Sequence, residues 1–261
     1  MSVFYARRAE RLVAIMDELA MGRALYVRTL AARFGVSAAT VRRDLQSLEE
    51  QKLLRRTHGG AAAEEVAYEL PFRYRGGRRR DAKQRIAEVV VRLLPKGLLT
   101  VGLTGGTTTT EVARGIATRL DLTVVTNALN IATDLAIRPR IKTIVTGGVT
   151  RTQSYELVGP LAERTLRDLN IQVAVVGVDG IDPVGGLTTH DQVEARTNAA
   201  MIAQSQRTIV VADGSKVGRI MLAQICPLSA VTELVTDTAA DPATLAELRE
   251  AGLQIHVAQA D

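Results

Sequence analysis

A glycine- and threonine-rich run, Thr104-Gly105-Gly106-Thr107-Thr108, follows an apolar stretch and precedes a helical one. Glycines let a ligand approach the backbone closely, and the free N–H groups and positive dipole end of a helix start suit a phosphate. No Gly-Lys-Ser/Thr follows, so the run is not a P-loop, and it lacks the dinucleotide pattern Gly-x-Gly-x-x-Gly. The run predicts a phosphate site, and the alternative is an ordinary strand-to-helix turn.

Other polar residues also follow apolar stretches. Asn127 and the pair Gly147-Gly148 each come directly after one, and Lys216 follows another in Asp213-Gly-Ser-Lys. Open α/β sheets bind ligands beyond the carboxyl ends of their strands, and a lysine there can act as a point charge for phosphate. The alternatives are helix capping for Asn127 and a solvated loop for Lys216.

Carboxylates and an imidazole lie close together in sequence at Asp179, His190, Asp191 and Glu194. Such groups can serve as acid and base, or can hydrogen-bond to sugar hydroxyls or to an amino group. The alternative for the last three is local, with His190 or Asp191 capping the next helix and Glu194 in the capping-box region.

The N-terminal part indicates a different chemistry. Gly35 and Val36 separate two helical stretches, and Ser37 is a predicted N-cap for the second. In a helix-turn-helix this second helix enters the DNA major groove with its first turns at the base edges. A basic hairpin with a glycine turn follows and would form a wing. The alternative is a plain helical bundle with solvated arginines. The predicted DNA contacts are Arg28, Ser37, Ala38, Thr40, Arg42, Arg43, Arg55, Arg56 and His58.

The charge distribution agrees with a polyanion-binding N-terminal module. Residues 1–80 hold 16 basic and 9 acidic side chains, whereas the remainder holds 17 and 19. A basic segment joined to a mildly acidic body is typical of a nucleic-acid-binding part attached to another domain. A chance fluctuation of surface charge is the alternative.

The elements that would position these residues follow from hydrophobic periodicity. The pattern predicts a winged helix-turn-helix at 1–62, a linker at 63–80, and a doubly wound, largely parallel α/β domain at 81–261. The N-terminal elements are helices 7–20, 28–34 and 38–51, a short strand at 24–27 and a hairpin at 53–60. The later strands are predicted at 98–103, 122–126, 141–146, 173–178, 208–212, 231–236 and 253–258, with helices at 81–94, 107–119, 128–136, 159–169, 191–205 and 242–251.

Composition excludes several classes. Hydrophobic residues make up 46% of the 261 positions and aromatics only 3%, so we expect an aliphatic core in an ordinary globular chain. A single cysteine, Cys226, excludes a disulfide framework and a thiolate zinc cluster, and we expect it to be buried. The three histidines are scattered, so no metal site is predicted. We find neither an apolar run of membrane-spanning length nor a signal peptide, and expect a cytoplasmic protein without membrane contact.

The N-terminal motifs resemble the winged helix of DeoR-type bacterial transcription regulators. The specific segments are S-x-x-T-V-R-R-D-L, which begins at Ser37, and R-x-x-G-G-A, which begins at Arg56. The resemblance continues over nearly the whole chain. It includes Lys83-Gln-Arg-Ile-Ala, Gly106-Thr-Thr, Val125-Thr-Asn, Thr146-Gly-Gly, Val158-Gly-Pro, Gly177-Val-Asp-Gly and Asp213-Gly-Ser-Lys.

The resemblance implies a repressor whose C-terminal domain resembles sugar-phosphate isomerases and senses a phosphorylated sugar. The segments that begin at Ser154, Gly177 and Thr189 look most like the amino-sugar branch, while Thr104 stands where the family often has Asp. The implied partners are operator DNA, a sugar phosphate and further copies of the chain, in a dimer or tetramer. No cofactor and no catalysis are expected; the alternative is an isomerase- or deaminase-like enzyme with a DNA-binding module.

Overall fold

The computed structural model describes residues 2–20, 25–51, 53–63, 69, 71–75, 79–119 and 122–259. The chain divides into two units, Met1–Arg78 and Arg79–Asp261. Parts of the predicted linker 63–80 lie outside the described residues, as does Ala24 of the predicted first strand. The bounds of the linker therefore stay a prediction.

The first unit combines helices with a small antiparallel sheet. Apolar residues at helical spacing on the third helix, Val41, Leu45 and Leu48, are buried together with Ile15 of the first, as their periodicity predicts. The strands pair in the order β1-β3-β2, and the second and third form the predicted hairpin. The elements are α1 (Ser2–Ala20), β1 (Leu25–Tyr26), α2 (Val27–Phe34), α3 (Ala38–Glu50), β2 (Leu54–Thr57), β3 (Gly60–Ala63) and α4 (Phe72–Arg75).

The second unit alternates strands and helices. Its helices are α5 (Arg80–Leu93), α6 (Thr107–Ile116), α7 (Leu129–Ala136), α8 (Pro160–Arg167), α9 (Gln192–Ala203) and α10 (Pro242–Glu250). Its strands are β4 (Leu99–Leu103), β5 (Leu122–Thr126), β6 (Ile141–Val145), β7 (Val149–Arg151), β8 (Glu156–Val158), β9 (Ile171–Gly177), β10 (Gly180–Asp182), β11 (Gly186–Thr189), β12 (Ser205–Val211), β13 (Ala223–Cys226), β14 (Glu233–Asp237) and β15 (Gln254–Ala258).

A seven-stranded parallel sheet with the order β15-β14-β12-β9-β4-β5-β6 forms the centre of this unit. Alternate residues of β9 enter two separate cores, with Val173 and Val175 on one face and Ala174 and Val176 on the other. Helices α5, α6 and α7 contribute to the first core, whereas α8, α9 and α10 contribute to the second. The predicted doubly wound fold is confirmed.

The sequence did not predict several short antiparallel strands. β7 pairs with β8, and β10, β11 and β13 form a separate small sheet. Strands of three or four residues with glycine and polar positions carry too little alternation for the period to show. Two long strands begin earlier than the sequence predicted: β9 starts at Ile171 and β12 at Ser205, rather than at 173 and 208.

A charged cluster holds strands together near the amino ends of β12 and β14. Buried Glu233 accepts hydrogen bonds from Arg207 at 2.5 and 2.9 Å, and its Oε2 lies 3.0 Å from His256 Nε2. Burial raises the pKa of Glu233, but the hydrogen bonds and charges of Arg207 and His256 outweigh burial, so this pKa lies below its usual value. Because the carboxylate is favoured in the folded state, the cluster stabilises the fold when Glu233 is ionised.

We expect Glu233→Gln to lower the free energy of unfolding by roughly 1–2 kcal/mol at pH 7, because charged hydrogen bonds become neutral ones. A lowered folded pKa contributes stability above the unfolded pKa of about 4.3 and loses it as pH falls through the folded value. The gap between wild type and variant should therefore be present at pH 5 to 7 and shrink as the pH falls below the unfolded pKa. Thermal unfolding from pH 7 to pH 3 measures it, and a gap as large at pH 3 as at pH 7 contradicts the assignment.

Two remaining sequence expectations concern Cys226 and membrane contact. Cys226 is buried as predicted, and burial raises the pKa of its thiol to about 11. Among the described helices, none is both long and apolar enough to cross a bilayer.

Candidate functional site

The helix-turn-helix is built from α2, a glycine turn and α3. Gly35 ends α2 in the left-handed conformation, with φ 61°, which glycine adopts without strain. Ser37 caps α3, and its Oγ accepts a hydrogen bond from the Thr40 N–H at 3.1 Å. This hydroxyl also lies 2.9 Å from Thr40 Oγ1. Both side chains therefore define the start of α3.

In the Arg42-Arg43-Asp44 segment of α3, the aspartate is buried and the two arginines are exposed. Asp44 is 2% exposed and accepts hydrogen bonds from Arg11 Nε at 2.6 Å and from Arg8 Nε at 3.3 Å. Arg42 and Arg43 are exposed, and in the described part of the chain neither forms an ion pair. The aspartate anchors α3 to α1, and the two arginines remain available to an external anion.

The other predicted DNA contacts surround α3. Arg28, Arg55 and His58 are exposed, and Ala38 is half-buried at the start of the helix. Arg56 is exposed, but its backbone N–H donates to Glu49 Oε1 at 3.1 Å and its Nη1 lies 3.8 Å from Glu49 Oε2. Arg56 is thus partly engaged within the unit.

In the second unit, the strand order marks a binding position. From β4 the chain continues to β5 and β6 on one side, then returns to β9 on the other side of β4. Neighbouring strands whose connections run in opposite directions leave a crevice at their carboxyl ends, where open α/β sheets bind ligands. Here those ends carry the Thr104–Thr108 run and Asp179.

The Thr104–Thr108 run is a tight turn into α6. Gly106, with φ 131°, precedes the helix and provides no side-chain cap for its first N–H groups. The Gly105 N–H donates to Glu156 Oε1 at 2.8 Å, and a Cβ at Gly105 would lie 2.3 Å from Glu156 Cγ. Thr107 is half-buried and Thr108 is buried.

The Thr104 side chain connects two parts of the sheet edge in this structure. It is fully buried, and its hydroxyl accepts a hydrogen bond from the Gly177 N–H at 3.0 Å. This bond ties the turn after β4 to the end of β9. The Thr104 hydroxyl is therefore engaged within the fold, and its contact with a ligand stays a prediction.

Several of the predicted polar residues meet at the end of β9. Lys216 Nζ donates to Asp179 Oδ1 at 2.9 Å, and His190 Nε2 lies 4.0 Å from Asp179 Oδ2. The Thr189 hydroxyl lies 3.1 Å from Asp179 Oδ2 and 2.5 Å from Glu194 Oε1. Asp191 caps α9 through the N–H groups of residues 193 and 194, as its local alternative predicted.

The state of Glu194 follows from these contacts. Burial raises the pKa of this carboxyl well above its usual value, and the charge of Glu156 adds to the effect, while Arg151 opposes it. The Thr189 hydroxyl has one hydrogen and can donate to only one carboxyl oxygen. One hydroxyl therefore lies between two carboxyls, and the raised pKa makes Glu194 easier to protonate than a carboxyl in water.

Two site residues were missed by the sequence analysis. Arg151 of β7 lies 3.0 Å from Glu194 Oε2 and 3.7 Å from Asp191 Oδ2. Glu156 begins β8, directly after Tyr155, whose φ of 60° is unusual for a residue with a side chain. The Glu156 side chain that follows this turn contacts the Gly105 N–H.

Asn127 joins the same site from the end of β5. Its Nδ2 donates to Glu156 Oε1 at 3.3 Å and to Asn198 Oδ1 at 3.4 Å. In contrast, Gly147 and Gly148 have no described contact with the carboxylates. Gly148 packs against β8, where a Cβ would lie 2.8 Å from the Val158 carbonyl oxygen.

Comparison with known families decides the identity. Residues 11–66 match the DeoR-like helix-turn-helix domain, and residues 78–238 match the DeoR C terminal sensor domain. This chain belongs to the DeoR family. The predicted resemblance is confirmed, and the chain is a transcription regulator with a DNA-binding domain and a sensor domain.

Curated DeoR relatives span most of the chain. The transcriptional repressor AccR of Agrobacterium fabrum is 38% identical over 237 residues, which cover 89% of each protein. The glycerol-3-phosphate regulon repressor of Escherichia coli (strain K12) is 32% identical over 234 residues, 89% of this chain and 92% of that protein. The regulator GlpR of Haloferax volcanii is 33% identical over 251 residues, 96% of each.

Solved structures similar to this DeoR chain include ribose 5-phosphate isomerase A from Methanocaldococcus jannaschii. The alignment covers 55% of each chain at 17% identity, with a TM-score of 0.39. The full-length sorbitol operon regulator SorC from Klebsiella pneumoniae aligns with 78% of this chain and 89% of its own at 14% identity, with a TM-score of 0.35.

Proposed function

We propose that this chain represses a sugar-catabolism operon and is released from operator DNA by a phosphorylated sugar. The observation that carries the proposal is the pairing, in one chain, of exposed arginines on α3 with a polar site at the switch point of the sensor sheet. Relatives named as repressors, one of them of the glycerol-3-phosphate regulon, support the same reading.

On the DNA side, α3 enters the major groove and the β2–β3 wing lies beside it. Arg42 and Arg43 reach base edges or phosphates, while Arg28, Arg55 and His58 contact the backbone or the minor groove. Ser37, Ala38 and Thr40 bring the start of α3 to the groove, and Arg56 takes part once it leaves Glu49. Paired half-sites require a symmetric dimer or tetramer.

On the effector side, the phosphate lies against the Gly105–Thr108 turn and Lys216. The start of α6 supports this placement because it has no side-chain cap and carries the positive end of a helix dipole. The sugar hydroxyls contact Asn127, Asp179 and Glu194, with His190 at the margin. The effector acts by binding the DNA-free arrangement more tightly than the DNA-bound one.

The proposal is tested with the full chain and an operator selected from random-sequence DNA. Pentose, hexose, triose and amino-sugar phosphates are added to the complex, each with its unphosphorylated parent as the matched control. We expect one phosphorylated compound to weaken operator binding about 5- to 150-fold, the usual range of allosteric coupling, and its parent to have no effect. Operator affinity that no phosphorylated compound changes contradicts the proposal.

A second candidate, a sugar-phosphate isomerase or deaminase, is favoured by the Asp179, Thr189 and Glu194 contacts. They place two carboxyls on one hydroxyl, and burial raises the pKa of Glu194. We expect no turnover, because these groups serve recognition in a regulator. Assays of product from the same sugar phosphates measure it. Repeated turnover by wild type that Asp179→Asn abolishes would establish the enzyme instead.

A further inference from the structure

Glu156 is a buried carboxylate at the centre of the sensor site. It is 2% exposed, and no positively charged side chain of the described residues lies within ion-pair distance. Its Oε1 accepts hydrogen bonds from the Gly105 N–H and from Asn127 Nδ2, which are both neutral donors. A carboxylate removed from water is costly unless a positive charge or several hydrogen bonds compensate it.

Glu156 differs in its surroundings from the two other carboxyl groups of the site. Lys216 Nζ lies 2.9 Å from Asp179, and Arg151 lies 3.0 Å from Glu194. Burial raises the pKa of Glu194, and the charge of Glu156 raises it further, so a negative charge on Glu156 is unfavourable for its neighbour. A positively charged ligand group beside Glu156 would offset that cost.

A second, independent observation is an unpaired hydrogen-bond acceptor beside Glu156, the side-chain oxygen of Asn127. Asn127 is fully buried, and its Oδ1 has no hydrogen-bond partner within the described residues. Its orientation is set from the other side, because Nδ2 faces two acceptors, Glu156 Oε1 and Asn198 Oδ1. The amide oxygen is therefore an unused acceptor directly beside the carboxylate, and burying it without a donor is costly.

We propose that Glu156 and Asn127 select an effector with a protonated amine, so that the sensed compound is a phosphorylated amino sugar. This inference rests on the proposed function and adds the chemical class of the effector. The ammonium donates to the Glu156 carboxylate and to Asn127 Oδ1, while the phosphate occupies the Gly105–Thr108 turn. A metal ion is a poor alternative, because no three acidic, histidine or cysteine side chains of the described residues are placed to hold one.

Calorimetry with the full-length chain tests this inference through matched ligands. Glucosamine 6-phosphate is compared with glucose 6-phosphate, and galactosamine 6-phosphate with galactose 6-phosphate. Each pair differs only by an amine in place of a hydroxyl. We expect at least one amino sugar phosphate to bind at least about tenfold more tightly than its hydroxyl partner, since hydrogen bonds between charged groups are stronger than those between neutral groups. The N-acetylated forms, whose nitrogen carries no charge, should lose this preference.

The variant Glu156→Gln keeps the size and the acceptor oxygen of the side chain but removes its charge. We expect it to lose the amine preference, whereas the same change at exposed Glu247 on α10 should leave the preference intact. Thermal unfolding establishes that both variants are folded. If Glu156→Gln does not fold, the preference of the wild type within each pair still decides the question.

Three results overturn the inference. The first is equal binding of both members of every pair, and the second is binding of ribose 5-phosphate or glycerol 3-phosphate without any amino sugar phosphate. Either result leaves the proposed function standing. The third is tighter binding of all ligands by Glu156→Gln, which would show that the carboxylate competes with the phosphate for the Gly105 N–H. Failure of every sugar phosphate to bind rejects the proposed function itself, and the inference with it.

Discussion

The double variant Arg42→Ala, Arg43→Ala is expected to bind operator DNA at least about 100-fold more weakly than wild type. Each arginine that reads a base contributes roughly 1–3 kcal/mol, and each that contacts a phosphate adds to the salt dependence. Both side chains are exposed on α3, and alanine favours helix, so the domain should remain folded. Fluorescence anisotropy at several salt concentrations measures the affinity and the slope.

Arg167→Ala provides the matched control, because Arg167 is an exposed arginine at the end of α8 in the sensor domain. Its operator affinity should equal that of wild type. If the double variant also equals wild type while thermal unfolding shows both proteins folded, α3 is not the recognition helix.

The variant Lys216→Ala is expected to bind operator DNA normally but to respond to effector only at roughly 10- to 100-fold higher concentration. The change removes a cation at the carboxyl edge of the sheet, where a charged hydrogen bond to phosphate contributes about 1.5–3 kcal/mol. It also ends the 2.9 Å contact with Asp179. Release of labelled operator against effector concentration measures the shift.

Lys142→Ala removes an exposed lysine from β6 and serves as the control. Linkage adds a second measurement, because operator DNA must weaken effector binding by the same factor by which effector weakens operator binding. Equal effector affinity with and without operator contradicts an inducer mechanism, and a normal response of Lys216→Ala removes that residue from the phosphate site.

The sequence predicted the main sheet because its strands are apolar runs with clear ends. β4 and β5, for example, end at Thr104-Gly105 and at Asn127, where polar residues and glycine interrupt the run. Their parallel arrangement then follows from the helices between them. Candidate site residues at strand ends were found for the same reason, since the carboxyl edge of such a sheet is a general binding position.

The rest of the site depends on backbone geometry that leaves little trace in residue types. Glu156, which contacts the Gly105 turn, directly follows Tyr155, whose positive φ the residue type does not indicate. Arg151 lies on a three-residue strand too short to show a period. Thr104 follows its strand like a binding residue, but the Gly177 N–H next to it takes up its hydroxyl.

Positions 105 and 156 are sterically coupled. A Cβ at position 105 would lie 2.3 Å from Glu156 Cγ, in the space that the Glu156 side chain fills beside the Gly105 N–H. Serine or alanine at 105 therefore requires the side chain at 156 to turn away or to be shorter, and either change takes the carboxylate from the turn. Glycine at 105 allows the carboxylate to stay. A larger residue at position 105 would thus remove a negative charge from the binding site. Closely similar sensors could therefore recognise different ligands through paired substitutions at two positions that are distant in sequence.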